Sequence, residues 1–368
     1  MRAGWTYKTW ADVLTIINGK NQSAVESANG DYPIYGSGGI MGYASEWLCP
    51  ENSVIIGRKG NINSPLFVTK KFWNVDTAFG LCAKKEILLP KFLYYFCQDY
   101  NFERHNRAVT IPSLTKADLL KISILIPPIN IQQSIVTELD KINELIELKK
   151  LQYSDLDSLS QAIFFEMFGD PVENEKGWEM KKLGDMALVK TGPFGSMLHK
   201  EDYISNGIPL VNPIHMRDYQ VKADMNFTVT EEKAKELSNY LLKFKDVVFA
   251  RRGDIGRCAV VSEKEDGYLC GTGSLFVRFV NKIEPIFIMY IIRAESFTNE
   301  LVSKAKGATM LNLNSNTIAN LLVPLPPFSL QQDFATKISA IEKQKQRISA
   351  SIKDLNIMLA SRMQYWFE

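Results

Sequence analysis

The chain has 368 residues, of which 46% are hydrophobic and 23% charged, a composition ordinary for a folded protein and a length that suits two domains. Its formal net charge of +2 argues against a surface devoted as a whole to nucleic acid. We see neither a leader peptide nor an apolar run of membrane-spanning length, so we expect a cytoplasmic location.

The first part of the chain is rich in glycine, aromatic residues and short β-branched runs, which predicts mixed strands separated by turns. Strand candidates are residues 53–57 (SVIIG) and 66–73 (LFVTKKFW). We expect a helix to open at Pro90, because proline suits the first helical turn. A short apolar strand should then end at a Pro-Pro pair. A long helix should follow over about residues 131–168, until a Gly-Asp-Pro sequence stops it.

The same order of segments then recurs in a second copy. The matched pairs are Gly4-Trp5 with Gly177-Trp178, Val54–Ile62 with Val247–Ile255, Pro90 with Pro285, and Thr110–Gln133 with Thr309–Gln332. Strand candidates of the second copy are residues 246–250, 257–262 and 274–280. Four collinear matches predict an internal duplication, with an insertion in the second copy before its Arg251-Arg252 pair.

The closing helix of each copy carries an apolar seam in steps of three and four. The seams are Ile135, Leu139, Ile142, Ile146, Lys149, Tyr153 and Leu156 in the first copy, and Phe334, Ile338, Ile341, Lys345, Ile348, Ile352, Leu355 and Leu359 in the second. One such seam alone is ordinarily an amphipathic helix packed on its own domain. Two seams in register with a duplication favour helices that pack on each other as an antiparallel coiled coil.

The predicted fold class is therefore α+β: two mixed α/β domains related by internal duplication and separated by two long helices. The predicted boundaries are 1–110 and 173–308 for the mixed domains, and 111–172 and 309–368 for the helical regions. Acidic residues outnumber basic ones in 111–172, so we do not expect that region to lie against phosphates.

Motifs that carry chemistry are not visible in the sequence. The pairs Pro127-Pro128 and Pro326-Pro327 follow Ile and Leu, whereas an amino-methyltransferase loop needs Asn or Asp there. There is no G-x-x-x-x-G-K-[ST] segment for an ATP motor. The five cysteines are scattered, and none of the three histidines has a metal-ligand spacing to another His or Cys. We therefore expect buried thiols, no metal site and no catalytic centre in this chain.

A basic pair beside a glycine stands at the equivalent position of both copies, between a β run and a second short run. A tight glycine turn lets such side chains approach DNA, where arginine can pair with guanine or with phosphate. The alternative is a solvated turn. The candidates for DNA contact are Arg58, Lys59 and Asn61 in the first copy, and Arg251, Arg252 and Asp254 in the second.

Weaker candidates come from other polar or aromatic turns, where core or turn roles are an equal explanation. They are Lys20, Tyr35, Ser37 and Thr77 in the first copy, and Lys190, Phe194, Ser196 and Thr272 in the second. Thr77 and Thr272 are expected to brace the site rather than to read bases.

The chain resembles the specificity subunit of type I restriction–modification enzymes. The segments that carry the resemblance are residues 191–213, 241–262 and 321–343 in the second copy, and 53–62, 74–79 and 122–142 in the first. The resemblance covers essentially the whole chain.

The resemblance implies that 1–110 and 173–308 are target-recognition domains, each reading half of a bipartite, asymmetric target in double-stranded DNA. The two helical regions would form the spacer between them. Two methyltransferase subunits would dock on the helical regions and bind S-adenosylmethionine, and restriction subunits would bring ATP and Mg²⁺. No cofactor is expected in this chain.

Two other interpretations remain open at this point. A recognition subunit of a methyltransferase-only or other bipartite-target system has the same sequence features. A coiled-coil adaptor without a DNA role would explain the heptads but not the paired basic turns.

Overall fold

The computed structural model describes residues 4–106, 111–305 and 312–367, and the chain divides into two compact units. Unit 1 comprises Met1–Gln152 and Ile348–Glu368, and unit 2 comprises Tyr153–Arg347. Each division falls inside one of the two long helices. Thr110 and Thr309, which open one matched pair of segments, lie outside the described residues.

The first copy consists of short strands and short helices followed by the first long helix. In chain order they are β1 (Thr6–Thr9), α1 (Trp10–Val13), β2 (Leu14–Asn18), β3 (Tyr32–Gly36), β4 (Gly39–Ala44), β5 (Ser53–Gly57), β6 (Leu66–Val68), β7 (Trp73–Asn74), β8 (Ala78–Ala83), α2 (Pro90–Asp99), α3 (Lys116–Leu119), β9 (Ser123–Ile126) and α4 (Ile129–Phe168). The strand predicted over 53–57 and the helix start predicted at Pro90 are confirmed. The run 66–73 forms two strands, not one.

The second copy follows the same plan with additional short elements. In chain order they are β10 (Met180–Lys182), α5 (Leu183–Met186), β11 (Ala187–Thr191), β12 (Ile208–Val211), β13 (Met216–Arg217), β14 (Gln220–Val221), β15 (Thr228–Val229), α6 (Glu231–Glu236), β16 (Val247–Ala250), β17 (Cys258–Val260), β18 (Leu269–Cys270), β19 (Ser274–Phe279), α7 (Pro285–Arg293), α8 (Glu295–Lys304), α9 (Ser315–Ala319), β20 (Leu322–Pro324) and α10 (Phe328–Phe367).

The sheets confirm the internal duplication. The first copy contains a four-stranded sheet of order β2-β8-β5-β6, a three-stranded sheet of order β4-β3-β7, and the pair β1-β9. The second repeats all three as β11-β19-β16-β17, β15-β12-β18 and β10-β20. In both copies one pairing is parallel, β3 with β7 and β12 with β18. The β13–β14 hairpin has no counterpart in the described part of the first copy, so it belongs to the predicted insertion.

The central strands β5 and β16 are buried on both faces, which is why their sequences are unbroken apolar runs and not alternating ones. Val54 and Ile56 pack in the cluster that includes Phe92 of α2, while Ile55 packs with Phe72 on the opposite face. In β16, Val247 and Phe249 likewise lie on one side and Val248 on the other. The mixed domain of each copy therefore has two apolar layers around its main sheet.

The two long helices each have 40 residues, and α4 begins two residues before its predicted start. In unit 2 they are antiparallel, because Asp157 of α4 contacts Lys345 of α10 while Phe164 packs on Phe334. In unit 1, Glu138 of α4 is bonded to Arg362 of α10. The Arg362 hydrogen bond holds the pKa of the Glu138 carboxyl below its ordinary value. The predicted fold class is thus confirmed.

The predicted seams are buried for only part of their length. The buried positions are Ile135, Leu139, Ile142 and Ile146 of α4, and Phe334, Ile338, Ile341, Lys345 and Ile348 of α10. The remaining seam residues are half-buried. Within the described ranges, none of the helices combines the length and apolarity that crossing a membrane requires.

Candidate nucleic-acid interface

The turn after β5 is fixed by backbone hydrogen bonds on both sides. The amide of Arg58 donates to the carbonyl of Thr77 at 2.8 Å, and the carbonyl of Arg58 accepts from the amide of Leu114 at 2.9 Å. Gly60 has φ +77°, and a Cβ there would meet no other atom within 4 Å. The turn is therefore open to the outside but anchored at its base.

The turn after β16 has the same anchors. The amide of Arg251 donates to the carbonyl of Gly273 at 3.0 Å, and its carbonyl accepts from Leu313 at 2.9 Å. Gly253 has φ +71° and equally open surroundings. The isolated bridge of Lys59 with Ser113 recurs as that of Arg252 with Asn312. The duplicated sequence thus builds one backbone scaffold twice, and only the side chains on it differ.

In the first turn, Lys59 and Asn61 are exposed and Arg58 is half-buried. The Arg58 guanidinium lies 5.9 Å from the centre of the Phe79 ring, and its Nη1 donates a long hydrogen bond of 3.4 Å to the carbonyl of Asp76. Arg58 therefore lies partly against the sheet, while Lys59 and Asn61 point into solvent.

In the second turn, the expectation of a surface arginine pair is wrong for Arg251. Its exposed fraction is 7%, and its Nε donates to Oδ1 of Asn312 at 3.1 Å. The burial of this side chain lowers the pKa of the Arg251 guanidinium, because desolvation disfavours the charged form. Arg252 is exposed, and the exposed Asp254 pairs with Arg257 at 2.5 Å. Arg252 is therefore the side chain of this pair that remains available to a ligand.

Segment 74–77 brings several first-copy candidates together. The amide of Lys20 donates to the carbonyl of Asn74 at 3.0 Å, and the carbonyl of Tyr35 accepts from Val75 at 3.0 Å. Thr77 accepts from Arg58, as described above, so all four candidates border one short segment. The Tyr35 ring lies edge-on to Phe72, and burial raises the pKa of its phenol. Tyr35 thus has mainly a packing role, while Lys20 is exposed.

The remaining candidates are more dispersed. Ser37 lies half-buried between β3 and β4, and Thr272 lies half-buried between β18 and β19. The exposed fraction of Phe194 is 54%. Ser196 falls in a short 3₁₀ turn, Gly195–Met197, and its side chain lies outside the described atoms.

The prediction that Lys190 lies in a polar turn is wrong, because it lies in a strand. Gly19 donates to the carbonyl of Ala78 at 3.1 Å, and Gly192 donates to that of Ser274 at 3.0 Å, so these two glycines correspond. Lys190 lies before Gly192 inside β11, and its Nζ is 5.0 Å from the centre of the Tyr240 ring. Its position on a strand follows from the β-branched residues around it.

Arg217 and Arg257 are candidates that the sequence did not reveal. Arg217 lies in the β13–β14 hairpin, and Arg257 ends the second basic turn. The insertion in the second copy was the available signal for Arg217. Both side chains line one cleft, described below.

The cysteines were expected to be buried thiols, and most of them are. The five cysteines are free, and four of them are buried. Burial raises the pKa of the Cys258 thiol to about 12. Among the described residues, no group of three or more His, Cys, Asp or Glu side chains is placed to hold a metal ion.

Comparison with known proteins gives consistent matches. Residues 2–156 and 175–355 match the family model described as type I restriction modification DNA specificity domain. The MjaIX specificity subunit of Methanocaldococcus jannaschii is 25% identical over 314 residues, which are 80% of this chain and 72% of that protein. The EcoDI specificity subunit of Escherichia coli is 21% identical over 392 residues, 95% of this chain and 86% of that one.

Solved structures show the same fold. The S subunit of a type I system from M. genitalium superposes with a TM-score of 0.60 at 16% identity, covering 99% of this chain and 96% of that chain. A chain solved in work on complex assembly and conformational transition of the type I R-M system gives a TM-score of 0.62, also at 16% identity, covering 99% and 97%.

Proposed function

The chain belongs to the type I restriction–modification DNA specificity family, and from this membership we propose that it is the recognition subunit of such a complex. In this role it reads a bipartite target in double-stranded DNA. Residues 1–110 read one half-site and residues 173–308 read the other. The regions 111–172 and 309–368 serve as the spacer.

The observation that carries the proposal is the repeated turn scaffold. Both copies hold a basic turn by the same backbone hydrogen bonds and the same left-handed glycine. The exposed side chains differ, with Lys59 and Asn61 on one turn and Arg252 and Asp254 on the other. The side chains that contact base edges decide which DNA sequence is read. The difference between the two turns therefore supports two unlike half-sites and an asymmetric target.

The reaction belongs to partner subunits in this proposal. Two methyltransferase subunits dock on the helical regions and use S-adenosylmethionine. Restriction subunits, which require ATP and Mg²⁺, join the same assembly. The work of the chain is to position these enzymes on cytoplasmic DNA, so it needs no cofactor of its own.

The direct test is co-expression of the chain with a methyltransferase subunit from the same organism, followed by purification and methylome sequencing of the host. We expect a stable complex and methylated adenines in a motif of two unlike short blocks separated by unspecified bases. A methyltransferase that methylates the same motif without this chain would overturn the proposal. Adding a restriction subunit from the same organism and ATP then tests cleavage of unmethylated DNA.

Exchange of residues 1–110 for those of another family member tests the division into two reading domains. We expect one block of the methylated motif to change and the other to remain. A chimera with residues 173–308 exchanged is the matched control and should change the other block. If both blocks changed in either chimera, the two domains would not read independently.

A further inference from the structure

The insertion in the second copy forms one wall of a cleft beside the second basic turn. The cleft has a volume of about 570 Å³. One wall is residues 216–219 of the β13–β14 hairpin, and the other is residues 254–258 at the end of the turn. Arg293 and Thr298 also line it. Arg217 and Arg257 stand on opposite walls of the same cleft.

Both arginines retain unused hydrogen-bond donors. Arg257 is fixed by its Nε and Nη2, which donate to Asp254, and by its Nη1, which donates to the carbonyl of Pro213 at 3.2 Å. Each of its Nη atoms therefore has one hydrogen to spare. Arg217 donates through Nε to the carbonyl of Ile214 at 3.1 Å, and neither of its Nη atoms has a partner in the described part of the chain.

The back of the cleft holds the hairpin in place. The side chain of Arg293 is 4% exposed and lies between two aromatic rings. Its Cζ is 3.2 Å from the centre of the Tyr219 ring and 4.3 Å from the centre of the Tyr290 ring. Stacking on a desolvated guanidinium stabilises the position of Tyr219. Because Tyr219 follows Arg217 by two residues in a tight turn, this contact also positions Arg217.

The charges around the opening are unbalanced. Asp254 is paired with Arg257 and Asp218 with Lys222, while Arg293 is paired with Asp157. Arg217 has no ion-pair partner among the described residues, so its charge is left over beside these three pairs. The opening therefore favours an anion, and planar guanidinium groups suit the oxygens of a phosphodiester.

We propose that this cleft binds a backbone phosphate of DNA at the half-site read by the second copy, with Arg217 and Arg257 as the contacting side chains. The inference rests on the proposed function and adds a contact that the first copy lacks. A phosphate contact positions the domain without carrying sequence information. The second half-site should accordingly contribute more to the salt dependence of binding than the first.

The experiment measures DNA affinity of the full chain with its methyltransferase partner over a series of salt concentrations, on the target found by methylome sequencing. Arg217→Ala should lower affinity equally on matched DNA and on DNA mismatched in the second block. It should also reduce the slope of log K against log salt by roughly 0.9, the value for one phosphate. Arg217→Lys keeps the charge and should largely restore the slope.

Lys282→Ala is the matched control, because Lys282 is an exposed cation beyond the opposite end of β19 from the turn. It should bind as wild type does. Arg257→Lys tests the other wall while keeping a cation near Asp254, and its thermal unfolding should be measured beside its binding. Because lysine keeps the charge but not the paired guanidinium donors, we expect weaker binding on matched and mismatched DNA, with the salt slope and the unfolding unchanged.

The outcomes separate this inference from the proposed function. Wild-type complex that does not distinguish its target from mismatched DNA would overturn the proposed function itself. Specific wild-type binding with an Arg217→Ala slope unchanged would overturn only the phosphate cleft. Loss of discrimination at one base pair, with the slope unchanged, would make Arg217 a base-reading residue instead. Loss of methyltransferase from the complex, with DNA affinity unchanged, would make the cleft a protein contact and would also overturn the inference.

Discussion

Arg251 and Arg252 are adjacent in sequence and have opposite surroundings. The repeat correctly placed both in a turn after a buried strand, because sequence spacing locates turns well. Which of them points inward depends on Asn312, 61 residues further along the chain, whose side chain binds Arg251. A partner so distant leaves no mark in the local pattern, so the pair read as two equal surface cations.

Replacing Arg252 should therefore affect DNA binding, whereas replacing Arg251 should affect the free energy of unfolding. Arg252→Ala should leave the free energy of unfolding unchanged and reduce DNA binding, with a loss of about 1–3 kcal/mol in discrimination if it reads a guanine. Arg251→Ala should lower the free energy of unfolding by about 1–3 kcal/mol, because a buried side chain is removed and Oδ1 of the half-buried Asn312 loses its donor. Urea unfolding and binding titrations on matched and mismatched DNA measure both effects. Unchanged affinity and selectivity in Arg252→Ala would leave the turn as a solvated loop.

The repeated Gln-Gln pairs give a second contrast between neighbouring residues. Gln132 is fully buried, accepts from the amide of Leu89 at 2.8 Å and donates to the carbonyl of Pro127 at 2.9 Å. Gln331 makes the same two bonds, to the amide of Glu284 and the carbonyl of Pro326. In each copy one glutamine thus joins the start of a long helix to the start of the helix that opens with proline.

Gln132→Leu and Gln331→Leu should each lower the free energy of unfolding, by about 1–3 kcal/mol for every backbone group left without a partner. The loss should be larger for Gln132→Leu, because Nε2 of Gln132 also donates to the carbonyl of Ile87 at 2.9 Å. The exposed neighbours Gln133 and Gln332 supply the controls. Replacing either with leucine should change the free energy of unfolding by less than about 0.5 kcal/mol. Denaturant titration checks all four, and a control as damaging as its buried neighbour would contradict the assigned roles.

At the scale of elements, long periodic segments were predictable and short ones were not. The apolar seams indicated both long helices, and the range predicted for the first agrees with α4 to within two residues. Strands of two residues, such as β7 and β13, are too short to show any alternation and are held by their neighbours in the sheet. Lys345 was predicted as a seam residue, but its partners were not. Its side chain is 3% exposed and lies beside Asp157 and Glu342.

Asp157 is the shared partner of two buried cations, Lys345 and Arg293. Asp157→Ala should lower the free energy of unfolding by about 3–5 kcal/mol, because Arg293 is left buried without a carboxylate. Lys345→Met should be close to neutral, since Asp157 keeps Arg293 and methionine suits an apolar seam.

Chemical unfolding of the full chain measures the difference, and Asp155→Ala, at an exposed position of the same helix, is the control. If Lys345→Met proved as damaging as Asp157→Ala, the lysine and not the aspartate would hold this part of the helix pair together.

At the scale of the whole molecule, the duplication was visible in sequence because the segments that set the scaffold recur in order. The insertion was visible as a change in spacing, but its fold was not. The β13–β14 hairpin depends on two consecutive left-handed residues, Asp218 and Tyr219, neither of which is glycine. Tyr219 is held there by its contact with Arg293. Turn propensities could not have indicated such a conformation.

The last prediction concerns the paired long helices as the element that sets the gap between half-sites. An α-helix rises about 1.5 Å per residue, so a 40-residue helix is about 60 Å long, more than one turn of DNA at about 34–36 Å. We propose that lengthening both helices by one heptad lengthens the gap. The insertions belong after Gln152 in α4 and after Arg347 in α10, where the two compact units divide. Seven residues in each helix keep both seams in register.

The doubly lengthened protein should recognise the same two blocks with a gap longer by about three base pairs, since a heptad adds roughly 10 Å and DNA has about 10–10.5 pairs per turn. Methylome sequencing of a host that carries the variant and its methyltransferase reads the gap directly. A heptad in α4 alone should put the Glu138–Arg362 contact of unit 1 out of register with the Asp157–Lys345 contact of unit 2 and lower the free energy of unfolding, so it serves as the control for register. Methylation at the original gap by the doubly lengthened protein would mean that the helices do not set the distance, and the spacer role would then have to lie with the partner subunits.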